Sequence, residues 1–246
     1  MFLTAEKLAP LIARYGQPRL VDMTQAVSTA EMDMVLDSRK DGRAHDVTCF
    51  ILDGRGQVAV IRKHFHPPGV WRAPSGGIRL HEDVEHGIRR EMREETGLDI
   101  RLERYLLRIS VTFFEEGSRR REQAWTSHVF AARPESRWAE SRWAESRCAE
   151  SWCAESWCAG GAGAPLEPPG ASLEPPSATL EPPGATLEPE DRDEIASARW
   201  ATIGELQGPI RRALLATGRG LFRYRVALTD LAVAELRKMG WPRAVV

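Results

Sequence analysis

Three glutamates form the part of the sequence best suited to chemistry. Glu91, Glu94 and Glu95 fall on roughly one face of a predicted helix, because residues three and four positions apart are neighbours there. They also fall in its last turn, where the helix dipole disfavours each carboxylate by roughly 0.3–1 kcal/mol. A hard divalent cation would relieve this crowding, since Mg²⁺ binds oxygen ligands and keeps waters for substrate phosphates. The spacing therefore indicates a metal site, and a solvated charged helix face is the alternative.

The helix that carries these glutamates is predicted to run from Glu82 to Glu95. Its apolar positions recur at every fourth residue and form a stripe suited to packing on a sheet: Val84, Ile88 and Met92. Glu82 and Asp83 suit the positive N-terminal end of a helix dipole. Gly97 suits the left-handed position that ends a helix. The sequence therefore specifies both ends of this helix and the face that it buries.

The stretch that contains this helix, residues 76–98, reads GGIRLHEDVEHGIRREMREETGL. It resembles the Nudix box GX5EX7REUXEEXGU, in which U is a bulky aliphatic residue. Gly76, Glu82 and the run from Arg90 to Leu98 occupy every fixed position of that box. A match at this many fixed spacings is a specific signal of the family.

The resemblance implies both a fold and an activity. The fold is α+β, a Nudix-type α/β/α sandwich with a mixed β-sheet and with the box as a loop–helix–loop. Enzymes of that family cut the diphosphate linkage of a nucleoside diphosphate joined to another group, and they use Mg²⁺ or Mn²⁺. The resemblance makes Glu91, Glu94 and Glu95 metal ligands and catalytic residues, with Glu91 or Glu95 helping to deprotonate the attacking water. Arg90 would hold a glutamate in a bidentate pair, and Glu82 would support the helix or bind an outer metal.

The loop before the helix is predicted to contact the substrate. Gly76 and Gly77 allow the backbone conformations that a tight loop around phosphates needs. Arg72, in the same approach to the box, and His64, at the end of a predicted strand, are further candidates for substrate contacts. His64 and His66 could instead share a face and bind a transition metal, or could have a plain surface role.

The substrate is predicted only as a class, a small-molecule nucleoside diphosphate derivative. The proline that often follows the box in ADP-ribose enzymes is absent, and residues 111–113 occupy that region. The N-terminal extension favours ADP-ribose or a nucleotide sugar over a nucleoside triphosphate. Two other classes stay open: a catalytically inactive Nudix-fold nucleotide-binding or regulatory module, and a scaffold that works through its repeats. The retention of every box glutamate favours the enzyme.

Composition divides the chain into four parts: an N-terminal extension (1–44), the first part of the core with the box (45–134), a low-complexity insertion (135–190), and the last strand with C-terminal helices (191–246). The insertion contains tandem pentads such as ESRWA and ESWCA, followed by LEPP units. A period of five places successive tryptophans about 140° apart on a helix, so no apolar stripe forms. Pro-Pro pairs favour polyproline II. We expect a disordered linker, with partner binding by the aromatic pentads as the alternative.

Local patterns also predict several elements outside the box. Residues 4–15 form an amphipathic helix, residues 19–28 form a strand, and residues 30–38 fit either type. Strands at 46–52 and 57–63 are predicted to form a hairpin through the Asp-Gly pair between them. Two successive strands are expected just after the box, at 99–103 and 105–114.

The overall charge balance excludes some partners. The chain has 34 basic and 35 acidic residues, and its net charge of −1 gives no electrostatic reason to expect nucleic acid or an anionic membrane as a partner. No signal peptide and no apolar run of about 20 residues are apparent. Four cysteines form no disulfide framework, so we expect a cytoplasmic location. The oligomeric state stays open, with a homodimer as one option.

Overall fold

The computed structural model describes residues 3–39, 42–117, 121–135 and 185–241. Its strands are β1 (Arg19–Val27), β2 (His45–Ile51), β3 (Gln57–Lys63), β4 (Ser75–Gly76), β5 (Ile100–Glu115), β6 (Glu122–Pro134) and β7 (Ile195–Thr202). Its helices are α1 (Ala5–Tyr15), α2 (Thr29–Asp37), α3 (Val84–Thr96), α4 (Ile203–Glu205), α5 (Arg211–Ala216) and α6 (Gly220–Lys238). A π-helical turn (Leu206–Ile210) joins α4 to α5.

Strand pairing in the described residues gives one mixed sheet and one small antiparallel sheet. The larger sheet has the order β1-β5-β6-β2-β4, and β3 pairs with β7 in the smaller one. β5 and β6 are antiparallel, whereas β1 runs parallel to β5 and β2 runs parallel to β6. This mixed sheet confirms the predicted α+β class.

Two apolar clusters lie on opposite faces of the strands. Because side chains alternate along a strand, Cys49 of β2 joins the cluster with α1 and α3, and Phe50 joins the cluster with α2, α5 and α6. Residues of β6 divide in the same way, with Phe130 on the first side and Val129 on the second. The strands are therefore covered by helices on both faces, which confirms the predicted α/β/α sandwich.

The predicted hairpin between β2 and β3 is wrong as a strand pairing. Asp53 does make the turn, since its Oδ1 accepts hydrogen bonds from the backbone N–H groups of Arg55 (2.9 Å) and Gln57 (2.7 Å). Beyond the turn, the strands share only the isolated bridge between Leu52 and Val58. Every residue of β2 is buried, and it lies between β6 and β4 instead. The two strands diverge because each finds partners elsewhere in the chain.

The N-terminal elements agree with their predictions. Thr4 caps α1 by accepting a hydrogen bond from the Lys7 N–H, and β1 ends one residue before the predicted limit. The ambiguous stretch after it is α2, a helix that begins with a reciprocal capping box between Ser28 and Glu31. That motif was readable in the sequence. The two strands predicted after the box are one long strand, β5, with irregular register near Arg104.

Residues 136–184 of the predicted insertion lie outside the described part of the chain, so the expectations about the repeats apply to residues that the structure does not describe. From Ala185 onward the chain packs near the end of α3. The Glu188 N–H donates to the Thr96 carbonyl (3.0 Å), and the Asp191 N–H donates to the Glu94 carbonyl (2.9 Å). Leu187 packs on the cluster that contains α3. Among the described helices, none has the length and apolar character needed to cross a bilayer.

Candidate active site

Helix α3 holds the predicted metal ligands and is fixed at both ends by caps. It begins at Val84, because Asp83 caps it by accepting a hydrogen bond from the His86 N–H (2.9 Å). Glu82 therefore precedes the helix, whereas the sequence placed it inside. Gly97 ends the helix in the left-handed region at φ 76°, as predicted. The apolar stripe is buried against the sheet, as predicted: Val84, Ile88 and Met92.

Arg90 organises the carboxylates on one side of α3. Its Nε and Nη2 donate to the two oxygens of Glu82 at 2.8 and 3.0 Å, the bidentate pair that the resemblance implied. Its Nη1 donates to Glu91 Oε1 (2.9 Å) and Glu94 Oε2 (2.8 Å). Hydrogen bonding to Glu82 raises the pKa of Arg90, and the same bond lowers the pKa of Glu82. This geometry favours the supporting role for Glu82.

Glycines make room for charged side chains at the base of the helix. A Cβ on Gly76 would overlap the carboxylate of Glu91, and a Cβ on Gly77 would overlap the guanidinium of Arg43. The Gly77 carbonyl accepts a hydrogen bond from Arg90 Nη2 (3.1 Å). The two glycines are therefore required for space, so that Glu91 can lie directly against β4.

Glu95 is the deepest of the three glutamates, with a side chain only 4% exposed. Its Oε2 accepts a hydrogen bond from the Ser75 N–H (2.6 Å). Its Oε1 lies 3.2 Å from Lys63 Nζ and 3.6 Å from Arg72 Nη2. Burial and the neighbouring Arg72 lower the pKa of Lys63 to about 8, and burial lowers the pKa of Arg72 to about 10. Two buried cations thus lie against Glu95 and favour any added negative charge.

The carboxyl group of Glu91 is affected by the charges of both other glutamates. Burial raises its pKa, the ion pair with Arg90 opposes that rise, and the charges of Glu95 and Glu94 add to it. The carboxylates therefore repel one another across the face of α3. Oxygen donors that carry excess negative charge are the donor set that Mg²⁺ and Mn²⁺ prefer.

The glutamates suit a divalent cation by the type of their side chains rather than by their present positions. Within residues 3–39, 42–117, 121–135 and 185–241, no three His, Cys, Asp or Glu side chains already converge on one point as a complete metal site. Glu91 and Glu94 are instead turned to Arg90, and Glu95 is turned to Lys63 and Ser75. Glu91, Glu94 and Glu95 are nevertheless brought together on one face, as the sequence predicted.

A cavity of about 170 Å³ adjoins this cluster. Lys63 and Arg72, the two cations that contact Glu95, also line the cavity. Its walls include residues of α2, β2, β3, β5, β6 and the start of α6, and aromatic side chains are mixed there with apolar and charged ones. Helix α3 and the cavity thus share a pair of positively charged side chains.

Asp46 is the central polar group of the cavity wall. Its Oδ1 accepts hydrogen bonds from Trp125 Nε1 (3.2 Å) and from the Ser127 hydroxyl, and its Oδ2 accepts one from Arg225 Nη2 (2.9 Å). The Tyr224 hydroxyl in turn donates to Ser127 (2.6 Å). Burial opposes ionisation of Asp46, but Arg225 and these hydrogen bonds outweigh it and lower its pKa. An ionised Asp46 therefore fixes the positions of Trp125 and Arg225.

The two histidines beside the box have different surroundings. His64 is exposed, and its Nε2 donates to the Arg192 carbonyl (3.0 Å). His66 is buried and lines the cavity, where its Nδ1 accepts a hydrogen bond from the Lys63 N–H (3.2 Å). Arg72 is buried, and its Nη1 donates to Ser75 Oγ (2.7 Å). The structure thus brings Arg72 and His66 to the cavity, whereas His64 contacts the segment that precedes β7.

Several residues of the cavity were missed from the sequence. Asp46 begins an apolar strand and Lys63 ends one, and a charged residue at the end of a buried strand was an available signal. Arg225 is one of several arginines in the C-terminal region, and its distance in sequence from Asp46 left no local signal. From the sequence, Trp125 could be predicted only as a residue of a strand.

Comparison with known proteins gives a family match over the part of the chain that contains the site. A model of the NUDIX domain matches residues 42–160. The chain is 34% identical over 61 residues to an RNA pyrophosphohydrolase of Gluconacetobacter diazotrophicus, covering 22% of this chain and 36% of that protein. It is 30% identical over 63 residues to Nudix hydrolase 2 of Arabidopsis thaliana, covering 24% and 23%. Both alignments span well under two thirds of the relative's length.

Matches among solved structures have lower sequence identity. A UDP-X diphosphatase is 16% identical, with a TM-score of 0.36, and the match covers 70% of this chain and 59% of that one. The ORF135 protein of E. coli is 15% identical, with a TM-score of 0.40, and the match covers 82% and 94%.

Proposed function

We propose that this chain is a member of the Nudix family, whose domain model matches residues 42–160, and that it is a metal-dependent pyrophosphohydrolase acting on a nucleoside diphosphate derivative. The observation that carries the proposal is the arrangement of Glu91, Glu94 and Glu95 on one face of α3, beside two buried cations. Carboxylates that repel one another at the negative end of a helix suit a divalent cation better than they suit stability.

Glu91, Glu94 and Glu95 would hold Mg²⁺ or Mn²⁺, which would neutralise the diphosphate and make the attacking water more acidic. Arg90 holds two of these carboxylates in place through Nη1, and Glu82 in turn fixes the Arg90 guanidinium with both oxygens. Removal of Glu82 would release Arg90, so its effect on turnover would be indirect.

Glu91 is better placed than Glu95 to accept a proton from the attacking water. Both oxygens of Glu95 are engaged, by the Ser75 N–H on one side and by Lys63 and Arg72 on the other. Neither oxygen of Glu95 is therefore free to take a proton. Glu91 has a single guanidinium partner through Oε1, and its Oε2 lies against Gly76. We therefore assign the general-base role to Glu91.

Lys63 and Arg72 supply the positive charge that a diphosphate needs. Each lies within 4 Å of Glu95, and each lines the cavity. A phosphate at the cavity mouth would meet both cations, and Arg72 offers a planar fork suited to phosphate oxygens. Of the nucleoside diphosphate derivatives, ADP-ribose and nucleotide sugars are favoured over nucleoside triphosphates by the N-terminal extension.

One observation favours a second candidate, a nucleotide-binding module without catalysis. Each of the three glutamates already has a cationic partner within the protein: Arg90, Arg79 and Lys63. A site satisfied in this way would be stable without metal. The retention of every glutamate in the box favours the enzyme.

A turnover screen separates the two candidates. Release of phosphate or nucleoside monophosphate is measured with Mg²⁺ over dinucleotides, nucleotide sugars and nucleoside triphosphates. We expect turnover of a nucleoside diphosphate derivative and a loss of about 100-fold or more in Glu94→Gln. Glu85→Gln is the matched control, since Glu85 lies in the first turn of α3 and pairs with Arg89. Equal activity in Glu94→Gln and Glu85→Gln would refute the role of Glu94, and no turnover across the panel would favour the binding module.

A further inference from the structure

A groove of about 520 Å³ lies at the edge of the large sheet that is opposite to β4. Its walls are the link between α1 and β1, residues 104–106 near the start of β5, and the end of α6. Glu95 of α3, in contrast, contacts Ser75 of β4 at the other edge of the sheet. Among the described residues, no side chain lines both this groove and the cavity beside Glu95. The groove is therefore separate from the candidate active site.

Irregular pairing of β5 leaves the space that the groove occupies. The pairing of β5 with β6 changes register between Leu102 and Arg104 and again between Tyr105 and Leu107. The pairing of β5 with β1 begins only at Leu107, which lies opposite Arg19. Bulges of this kind end strand pairing and re-aim side chains. Residues 104–106 consequently face the groove instead of a paired strand.

Three basic side chains line the groove: Arg19, Arg104 and Lys238. The acidic residue that lines it in the described structure is Glu235, which pairs with Arg19 (3.1 Å) and Lys238 (2.8 Å). Burial opposes ionisation of Glu235, but hydrogen bonds from Lys238 and Arg19 outweigh it and lower its pKa. The Glu235 carboxylate therefore holds two of the cations in place. Three positive charges against one negative charge leave an excess of two.

Arg104 is held by space rather than by an ion pair. A Cβ on Gly16 would lie 2.5 Å from Arg104 Nη1, so the guanidinium lies directly against the glycine. Gly16 also has φ 83°, a conformation that disfavours any residue with a side chain. On the same strand Arg101 pairs with Glu103 (3.4 Å), whereas Arg104 forms no ion pair among the described residues. Its guanidinium is therefore available to an anionic ligand.

The end of α6 does little to repel an anion from this groove. Free carbonyls at the C-terminal end of a helix normally carry partial negative charge. In α6, carbonyls of the last turn accept hydrogen bonds from the N–H groups of Met239, Gly240 and Trp241. Lys238 adds a full positive charge in the same turn. The groove therefore keeps its positive character beside the helix end.

Apolar surface adjoins the three cations. Pro18 and Leu106 are buried in the wall of the groove, and Met239 is 39% exposed at its edge. A ligand that matched the groove would have an anionic group of about two charges and a small apolar part. The phosphate group of a monoester carries about −1.5 to −2 charges at pH 7. It also accepts several hydrogen bonds, which suits the planar donor forks of two arginines.

We propose that the groove between the start of β1, the start of β5 and the end of α6 binds a small organic phosphate monoester, with its phosphate group at Arg19, Arg104 and Lys238. This site goes beyond the proposed function, since a monoester contains no diphosphate linkage. Binding here does not depend on turnover, so the inference stands or fails independently of the hydrolase.

The test is calorimetric titration of the full chain, without divalent cation, with phenyl phosphate, inorganic phosphate and acetate at matched ionic strength. We expect phenyl phosphate to bind about tenfold or more tightly than acetate, because the phosphate group offers more charge and more acceptors. Acetate that binds as tightly as phenyl phosphate would show a general attraction of anions and would overturn the inference. Absence of phenyl phosphate binding at millimolar concentration would also overturn it. Inorganic phosphate that binds as tightly as phenyl phosphate would refute the organic part of the ligand.

Variants test whether phenyl phosphate binds in this groove. Arg104→Gln removes the cation that has no ion pair, and we expect its affinity to fall by about tenfold or more. Arg101→Gln is the matched control, because Arg101 is an exposed arginine of the same strand and does not line the groove. Lys238→Gln gives a second variant with the same expected loss, and circular dichroism confirms that each variant is folded. If Arg104→Gln and Lys238→Gln both bind like Arg101→Gln, phenyl phosphate binds elsewhere on the protein and the inference fails.

Discussion

At the scale of single residues, both the available space and the charges determine which residues the Nudix box contains. Gly76 is a glycine because the Glu91 carboxylate occupies the position of its missing Cβ. Glu91 is consequently held between Arg90 on one side and the backbone of β4 on the other. A carboxylate confined in this way has few rotamers, which would suit the proposed general base.

The space at Gly76 predicts the effect of a single methyl group. Gly76→Ala should displace Glu91 and reduce turnover by about 100-fold, because a misplaced catalytic group costs roughly that much. Steady-state kinetics measures the loss, and the melting temperature reports whether the fold persists. Gly204→Ala is the control, since a Cβ there meets only Thr202 Oγ1 at 3.7 Å. Normal kinetics in Gly76→Ala would show that the position of Glu91 is not critical.

The position of each glutamate along α3 predicts opposite effects on stability. Glu94→Gln removes negative charge from the C-terminal end of the helix, and this gain offsets the loss of its charged pair with Arg90 (2.8 Å), so the metal-free melting temperature should stay the same or rise. Glu85→Gln removes negative charge from the first turn and breaks the pair with Arg89 (3.1 Å), so it should lower that temperature. Scanning calorimetry of both variants in EDTA measures the difference. A lower melting temperature for Glu94→Gln than for Glu85→Gln would contradict the argument that the glutamates serve function at the expense of stability.

At the scale of elements, one buried carboxylate joins α2 to α6. Glu31 accepts hydrogen bonds from the backbone N–H groups of Ser28 (3.0 Å), Gly220 (3.1 Å) and Leu221 (3.0 Å). Burial would raise its pKa, but the hydrogen bonds from these backbone groups outweigh it, so the pKa is lowered. Because α2 and the start of α6 both line the cavity, this carboxylate sets the distance between two of its walls.

Glu31 predicts a pH dependence of stability with a definite sign. A lowered pKa in the folded state gives stability that is present above the ordinary value of 4.5 and is lost as pH falls below it. Glu31→Gln should lower the free energy of unfolding at pH 7 by about 1–3 kcal/mol and flatten its decline below pH 4.5. Urea denaturation at several pH values measures both effects. Glu122→Gln is the control, because Glu122 is an exposed glutamate on β6. A Glu31→Gln stability profile that matches the Glu122→Gln profile would show that Glu31 does not hold α2 and α6 together.

At the scale of the whole molecule, the last residues of the predicted insertion pack on the core. Residues 185–191 contact the end of α3: the Glu188 and Asp191 N–H groups donate to α3 carbonyls, and Glu190 pairs with Arg93 (2.8 Å). Backbone contacts of this kind stabilise the helix end that carries the glutamates. The repeats that precede these residues have a sequence that cannot build a core.

This packing predicts different results for two deletions. Replacement of residues 136–184 by a short Gly-Ser loop should leave kcat and KM nearly unchanged, because loop length adds only about 0.6 kcal/mol per doubling. Extension of the deletion to residue 190 should lower stability and turnover, since it removes the contacts with α3. Kinetics and thermal melting compare the two. A large rise in KM in the shorter deletion would show that the repeats take part in substrate binding.

Local sequence signals predicted α3 well. The features that the sequence did not show depend on contacts between residues far apart in the chain. The caps at Asp83 and Gly97 and the stripe through Ile88 are all encoded within one segment. The pairing of β3 with β7 joins segments separated by the insertion, so no local pattern could reveal it. The same holds for the cavity, where Asp46 meets Arg225 across most of the chain. The positions of the box residues were therefore predictable, whereas the walls of the cavity required the fold.

The central claim is that Glu91, Glu94 and Glu95 hold a divalent cation. The test is a titration of the full chain with Mn²⁺. Binding is measured by electron paramagnetic resonance as a decrease in the signal of free Mn²⁺. Wild-type protein and Glu85→Gln should bind Mn²⁺ alike, and Glu94→Gln should bind it about 10–100-fold more weakly. Equal Mn²⁺ affinity in Glu94→Gln and Glu85→Gln, or no binding by the wild type at millimolar Mn²⁺, would contradict it.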